Sequence, residues 1–538
     1  MSVTMKQQWI FPILCALSMG FWACSSPTSP AEPSGPGGSS NSVHPSDPAR
    51  PSDPGNPSDP ANPSDPANPS DPANPSDPAN PSDPDVPGIS GKQTIYYYGN
   101  GNTWGTTLIS ESQDDENSTT VTLKDRGDLY RVGYQFTGWN TSSDGTGDNF
   151  EAGSSIPKNG KTIKLYAQWK EVFPFVSAGE KFSTLLTESG RLYSAGDNTD
   201  GRLGNGTTVP QRQFVPVSGA VAGAGIKAAI SGKDHSFAIL NDGTTLGWGK
   251  SDAGKLGNKA DHGSALLPVI PLYTIDGDAI PAVRIASVSA GKNQTALLTE
   301  NGEYWAAGGR YYGALGNGNG SMQLTFEKIA DGILSVSTGE DYVMTIKNDG
   351  TLYAAGNGWL GRTGTTANTK NGLTLIADAG SDNSLVFAGK LNHTMILKKD
   401  GRLFAAGYNE LGQLGVGNLT NQNSFKPVID SAGNPLTGVV YVSLGETHSM
   451  ILGSDGTLWA AGNNRRKQLG INGLIAQTRA VKVLENVARV AAGFDHTLAV
   501  TEDGKLWAAG SNRNGQFGAN TGLPGYSAWT EIDISSLH

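Results

Sequence analysis

Gly232-Lys233-Asp234-His235-Ser236-Phe237-Ala238-Ile239-Leu240-Asn241-Asp242-Gly243-Thr244-Thr245-Leu246-Gly247-Trp248-Gly249 is two β-prone runs hinged at Asp242-Gly243. Runs of this kind around Asp-Gly read as a β-hairpin. The stretch ends eight residues later at Gly254-Lys255-Leu256-Gly257. The same frame occurs seven times. Its opening glycines are Gly179, Gly232, Gly291, Gly339, Gly389, Gly445 and Gly493. The turn glycines are Gly190, Gly243, Gly302, Gly350, Gly401, Gly456 and Gly504. Six residues after each turn glycine stand Gly196, Gly249, Gly308, Gly356, Gly407, Gly462 and Gly510, and eight further stand Gly204, Gly257, Gly316, Gly364, Gly415, Gly470 and Gly518.

Each copy also has an apolar run before its first glycine, such as Arg489-Val490-Ala491-Ala492, and another after its last, such as Ala480-Val481-Lys482-Val483. That makes four strands in about 50 residues, the size of a propeller blade. One such sheet cannot bury both faces alone, so it must stack on its neighbours. Seven stacked radially leave few free edges. Residues 171–538 are therefore expected to form an all-β, seven-bladed β-propeller, with Trp529-Thr530-Glu531-Ile532-Asp533 as the outer strand of blade seven. The fourth copy carries Tyr342, Arg362 and Thr363 at positions where the others repeat, which predicts an irregular blade.

The pattern Gly-x-x-His-Ser, Asp-Gly, Trp-Gly, Gly-x-Leu-Gly, met at Gly232 to His235, Asp242-Gly243, Trp248-Gly249 and Gly254 to Gly257, resembles the regulator of chromosome condensation repeat family. The resemblance covers about two thirds of the chain. It implies a propeller fold. In eukaryotic members it implies nucleotide exchange or chromatin binding, and in some bacterial ones inhibition of secreted enzymes through a loop-rich face.

Upstream, residues 91–170 hold Thr94-Ile95-Tyr96-Tyr97-Tyr98, Val121-Thr122-Leu123 and Lys164-Leu165-Tyr166-Ala167-Gln168-Trp169, all strand-like. Between them lie Gly133-Tyr134-Gln135-Phe136-Thr137-Gly138-Trp139 and Asp144-Gly145-Thr146-Gly147. This stretch resembles the Listeria–Bacteroides, or internalin B-type, repeat. That resemblance implies a small β-grasp-like module of bacterial surface proteins, with Trp139 and Trp169 in its core.

Residues 24–90 are a different polymer. Pro45-Ser46-Asp47-Pro48 recurs seven times at a period of six, up to Pro81-Ser82-Asp83-Pro84. With almost no apolar side chains, this stretch cannot form a core, and it reads as a disordered Pro-rich stalk. Proline favours polyproline II, so such a stalk reaches on the order of 130 Å when extended. Residues 1–23 place Lys6 before an apolar run from Trp9 to Ala23, the pattern of a secretory signal. Phe21-Trp22-Ala23-Cys24 resembles a relaxed bacterial lipobox. That implies acylation of Cys24, loss of Cys15 with the signal, and a lipid-anchored protein of the bacterial cell envelope at the outer membrane or cell surface.

The formal charge is −10 over 538 residues. Residues 173–538 hold 29 Lys+Arg against 30 Asp+Glu, a difference of −1. Nucleic-acid binding needs clustered positive charge, so no nucleic-acid partner is expected. Two cysteines cannot make a disulfide framework or a Cys-rich zinc site. His235, His393, His448 and His496 recur at equivalent places, but Phe182, Gln294 and Tyr342 fill the same place in other blades. A metal ligand cannot be replaced by Phe, so these histidines are read as packing residues, and no metal or cofactor is expected. No carboxylate pair, Ser-His-Asp spacing or phosphate loop stands out, so the chain is read as not an enzyme.

The loops after the third glycine vary sharply on an invariant frame. They carry Arg310, Tyr311, Tyr312, Trp359, Tyr408, Arg465, Arg466 and Arg513. Aromatics and Arg anchor interfaces, and function concentrates on loops held by a rigid scaffold. These eight residues are the candidate ligand-binding set, for an unidentified protein or glycan. The reading is a binding or adhesion protein tethered by lipid. An inhibitor of a secreted enzyme and a polysaccharide-active enzyme are the alternatives.

Overall fold

The computed structural model describes residues 93–537, apart from 106–107, 112–117, 222, 276–277, 281–282, 310, 319, 366–370 and 520–525. Seven sheets follow one another along the chain from Phe175 to Ile532. Blade 1 runs Phe175–Ala178, Phe182–Leu186, Leu192–Gly196 and Gln211–Pro216, each strand antiparallel to the next. Blade 2 opens at Ile226–Ser231, blade 3 at Ile285–Ala290, blade 4 at Ile333–Thr338, blade 5 at Asn383–Ala388, blade 6 at Val439–Leu444 and blade 7 at Val487–Ala492. The outer strand of blade 7 is Tyr526–Ile532.

Blade 3 gains two short strands, Tyr273–Ile275 and Asp278–Ile280, on its outer edge. The repeat pattern does not announce them, because they lie in the connection between repeats. Blade 4 is the irregular one. Its fourth strand shrinks to Thr374–Leu375 and is followed by the 3-10 turn Ala377–Ala379.

The third glycine of each repeat has a direct cause. At Gly249, φ is +97°, and a Cβ there would lie 2.7 Å from His235 Cα and 2.8 Å from Asp234 O. The third strand slips in register against the fourth next to this point, and the backbone of strand two leaves no room for a side chain. The opening glycine answers to a ring instead. A Cβ at Gly445 would stand 2.2 Å from His448 Cε1, while Gly445 N–H donates to His448 O at 2.9 Å.

The ring closes without sharing a strand. In blades 1, 2, 4 and 5 the loop before the fourth glycine leans on the outer strand of the next blade: Gly201 on Leu266, Gly254 on Leu324, Gly361 on Asn423 and Gly412 on Thr478. Blade 7 completes the cycle, with Gly515 against Arg212 and the Gly518 carbonyl accepting from Phe214 N–H at 3.0 Å. Val172, Tyr193, Phe214, Leu498, Phe517 and Ile532 fuse the two ends into one core cluster.

The residues before the ring form a mixed sheet ordered Leu108–Glu111, Thr94–Tyr98, Thr162–Glu171, Tyr134–Asn140 and Asn149–Phe150. Its two central strands, Thr94–Tyr98 and Thr162–Glu171, run parallel. Ile95, Tyr97, Leu165 and Trp139 build its core, and the Trp169 indole, only partly buried, donates to Gly99 O at 2.9 Å. This module is bolted to blade 7. Arg489, in the blade's first strand, donates from Nε to Val172 O (2.8 Å) and from Nη2 to Gly133 O (3.0 Å), and its guanidinium lies 3.5 Å above the Phe175 ring. Tyr130 Oη donates to Val487 O at 2.6 Å, and Arg126 pairs with Glu502 at 3.1 Å.

Candidate binding face

The two faces of the ring differ in origin. Asp-Gly hairpin tips line one. The turns between strands one and two share the other with the loops between strands three and four, because Asp197 N–H donates to Lys181 O and Tyr408 N–H to Asn392 O. The small module occupies part of the hairpin face: Trp104 sits where a Cβ of Gly401 would be, and Arg126 reaches Glu502 beside Gly504. The loop face carries none of these module contacts.

On the loop face, blades 2, 3 and 4 share one kind of turn, which in blade 2 is Asp252–Gly254 with Ala253 at φ +63°. Tyr311–Gly313 and Trp359–Gly361 are 3-10 turns in which Tyr312 (φ +56°) and Leu360 (φ +61°) hold left-handed backbone. A bulky residue adopts that region at a cost, and such strain gathers at functional sites. The turns hold three large rings in solvent, with Tyr311 59%, Tyr312 64% and Trp359 60% exposed. Below them the frame is fixed. Trp359 N–H donates to Asn357 Oδ1 at 2.9 Å, and the buried Arg362 guanidinium donates to Asn392 Oδ1 and lies 5.3 Å from the Tyr342 ring centre.

The other candidates separate. Arg310 lies outside the described residues. Tyr408 is half-buried, its hydroxyl 3.4 Å from Glu410 Oε2. Arg466 is exposed but tied to Asp495, and Arg465 is exposed beside it. Arg513 is exposed, and its carbonyl accepts from Arg212 at 3.2 Å. Of the set, the three aromatic rings on blades 3 and 4 combine size, exposure and a stiff mount. Cys24 and the stalk also lie outside the described residues.

The repeated histidines turn inward. His393 Nε2 meets Ser449 Oγ of the next blade at 3.1 Å, His448 Nε2 meets Thr497 Oγ1 at 3.0 Å, and His496 Nε2 meets Ser183 Oγ at 3.0 Å. Ser449 and Thr497 spend their own protons on Gln413 O and Gln468 O, both at 2.7 Å. They therefore accept from the rings, which fixes the Nε2–H tautomer and leaves Nδ1 bare. Burial holds all three imidazoles neutral, with pKa values pushed down to about 3. Gln294 does the same work in blade 3, donating to Tyr342 O at 3.1 Å, and Tyr342 in blade 4 donates to His393 O at 2.9 Å. Among the described residues no group of three His, Cys, Asp or Glu side chains is placed to hold a metal.

The Regulator of chromosome condensation (RCC1) repeat matches residues 189–239, 400–452 and 455–500, and a second form of it matches 175–202, 439–468 and 487–516. These stretches fall in blades 1, 2, 5, 6 and 7. The chain is 30% identical over 303 residues to the ultraviolet-B receptor UVR8 of Arabidopsis thaliana, covering 55% of this chain and 66% of that protein. It is 25% identical over 318 residues to the human Regulator of chromosome condensation, covering 54% of this chain and 72% of that protein. In the mouse E3 ubiquitin-protein ligase HERC2 a 27% identical match covers 58% of this chain but 6% of the ligase. The crystal structure of Prp20p from Saccharomyces cerevisiae superposes with a TM-score of 0.54 at 20% identity, covering 67% of this chain and 87% of that one.

Proposed function

Starting from a seven-bladed propeller of the regulator of chromosome condensation repeat family, we propose that this chain is a non-catalytic recognition protein of the bacterial envelope. In this reading it is lipid-anchored through Cys24 and binds a protein or glycan on its loop face. One observation carries the reading: Tyr311, Tyr312 and Trp359 stand out on adjacent blades, mounted on left-handed turns. Rings held rigidly in solvent lose little entropy on binding and present a broad apolar surface to a sugar face or a protein side chain. The attachment of the small module supports the orientation. It takes up part of the hairpin face and leaves the loop face for a ligand. Nucleotide exchange and chromatin binding do not suit a chain with an export signal and a near-neutral propeller.

The test is capture from envelope and host extracts by the purified protein and by Tyr311→Ala/Tyr312→Ala/Trp359→Ala. The triple variant is expected to lose at least ten-fold in retained ligand while its melting temperature moves by only about 1–2 °C, since exposed side chains add little stability. Equal capture by both proteins, or a collapse in the melting temperature, contradicts the reading.

A further inference from the structure

On the propeller axis, the first strands of blades 3 to 6 line a cavity of about 50 Å³. Three serines on its wall are fixed by the neighbouring blades. Ser289 Oγ accepts from Thr338 N–H (2.7 Å) and from the Thr338 hydroxyl (2.9 Å). Ser337 Oγ accepts from Ala388 N–H at 2.9 Å, and Ser443 Oγ accepts from Ala492 N–H at 2.9 Å. In each case the hydroxyl is an acceptor within the protein, so its own proton is free to donate. Lys390 lines the same cavity. Its counterpart Lys292 is neutralised by Glu340, but Lys390 has no carboxylate at ion-pair distance among the described residues. Its charge acts on His448 and His496, both neutral and both already committed to neighbouring hydroxyls. Among the described residues no acidic side chain lines the cavity. An ammonium largely withdrawn from water and lacking a counter-charge is costly to keep, and burial alone drags the Lys390 pKa down to about 8. A guest that brings negative charge and acceptor oxygens satisfies the lysine and the three hydroxyls together.

We propose that this axial cavity binds one oxyanionic group, held by the Lys390 ammonium and the hydroxyls of Ser289, Ser337 and Ser443. A space of this size holds a few waters, and so a carboxylate, sulfate or phosphate group rather than a whole metabolite. The cavity belongs to the loop-face end of the axis, because Lys390 sits in a strand one–two turn. The oxyanion is thus either a free small anion or the acidic group of a larger ligand resting on that face. The inference rests on the axis alone and stands whether or not the aromatic rings bind anything.

The experiment is titration calorimetry and thermal melting of the full exported protein at constant ionic strength in chloride. The probes are sodium sulfate, sodium phosphate, sodium acetate, and trialanine with a free or an amidated carboxy terminus. Saturable binding of at least one oxyanion is expected, weakened ten-fold or more in Lys390→Met. Trialanine binding at least ten-fold tighter than acetate, lost on amidation, identifies the acidic end of a larger ligand. Comparable affinities identify a free anion. In chloride alone Lys390→Met should melt no lower than the native protein, since it removes an uncompensated charge. Absence of saturable binding for every probe overturns the proposal. Equal binding by Lys390→Met, or a lowered melting point of that variant in chloride, overturns it too.

Discussion

His393 and His448 each join two blades through a proton on Nε2, His496 joins two through an Nε2–Ser183 Oγ hydrogen bond, and all three rings are held neutral. That choice has a pH signature. Their folded pKa values are about 3, against an ordinary 6.5 in the unfolded chain. Between these limits the unfolded state binds more protons. The stability they contribute is therefore complete above about pH 6.5 and is lost as pH falls toward 3. Each histidine adds a slope of up to about 1.4 kcal/mol per pH unit within that window. His393→Gln/His448→Gln/His496→Gln keeps an amide donor, as Gln294 does naturally in blade 3. Unfolding by denaturant from pH 7 to pH 4 should show the variant losing markedly less stability than the native protein. Parallel curves for the two would show that the imidazoles do not carry the acid sensitivity. The sequence made a packing role readable, because Phe182, Gln294 and Tyr342 share the position. It could not show which hydroxyl each ring meets, since the partner lies in the next blade, 56 and 49 residues on for His393 and His448 and 313 residues back for His496.

At the level of the element, the blades were legible because their chemistry is local: a turn glycine after Asp, a glycine where strands two and three crowd, a glycine under an imidazole. The two short strands at Tyr273–Ile275 and Asp278–Ile280 were not, because they sit in a connection where no frame repeats. Nor was the bolt between the small module and blade 7. Arg489 reads as one more residue of a strand, yet its guanidinium is buried and holds the carbonyls of Val172 and Gly133. Charge-assisted hydrogen bonds of this kind are worth about 1.5–3 kcal/mol each, and their loss leaves buried acceptors unpaired. Arg489→Met should therefore lower stability by roughly 2–5 kcal/mol and speed proteolysis within residues 93–172 in a time course. An unchanged melting point and digestion pattern would mean that the module does not depend on that contact.

Taken whole, the described residues form a seven-bladed ring joined to a small sheet, while the leader and the stalk upstream are expectations from the sequence. Periodicity sufficed for the ring. The candidate face was legible as a list of variable loops but not as a ranking. Exposure singles out the large rings of Tyr311, Tyr312 and Trp359, while Arg466 is engaged by Asp495 and Tyr408 is half-buried. If Cys24 is the anchor, Cys24→Ser should move the protein from the detergent phase to the aqueous phase of a Triton X-114 separation. Unchanged partition would refute the anchor. The central claim, that the loop face is where this protein meets its ligand, is tested most directly within a single blade. Trp359 and Asp349 belong to blade 4 and lie on opposite faces of the ring. A photoreactive benzoylphenylalanine placed at position 359 or at position 349 of the full-length protein, followed by irradiation in envelope or host extract, compares the two faces. Adducts from position 359 and none from position 349 are the expected result. Adducts from position 349 alone would contradict it.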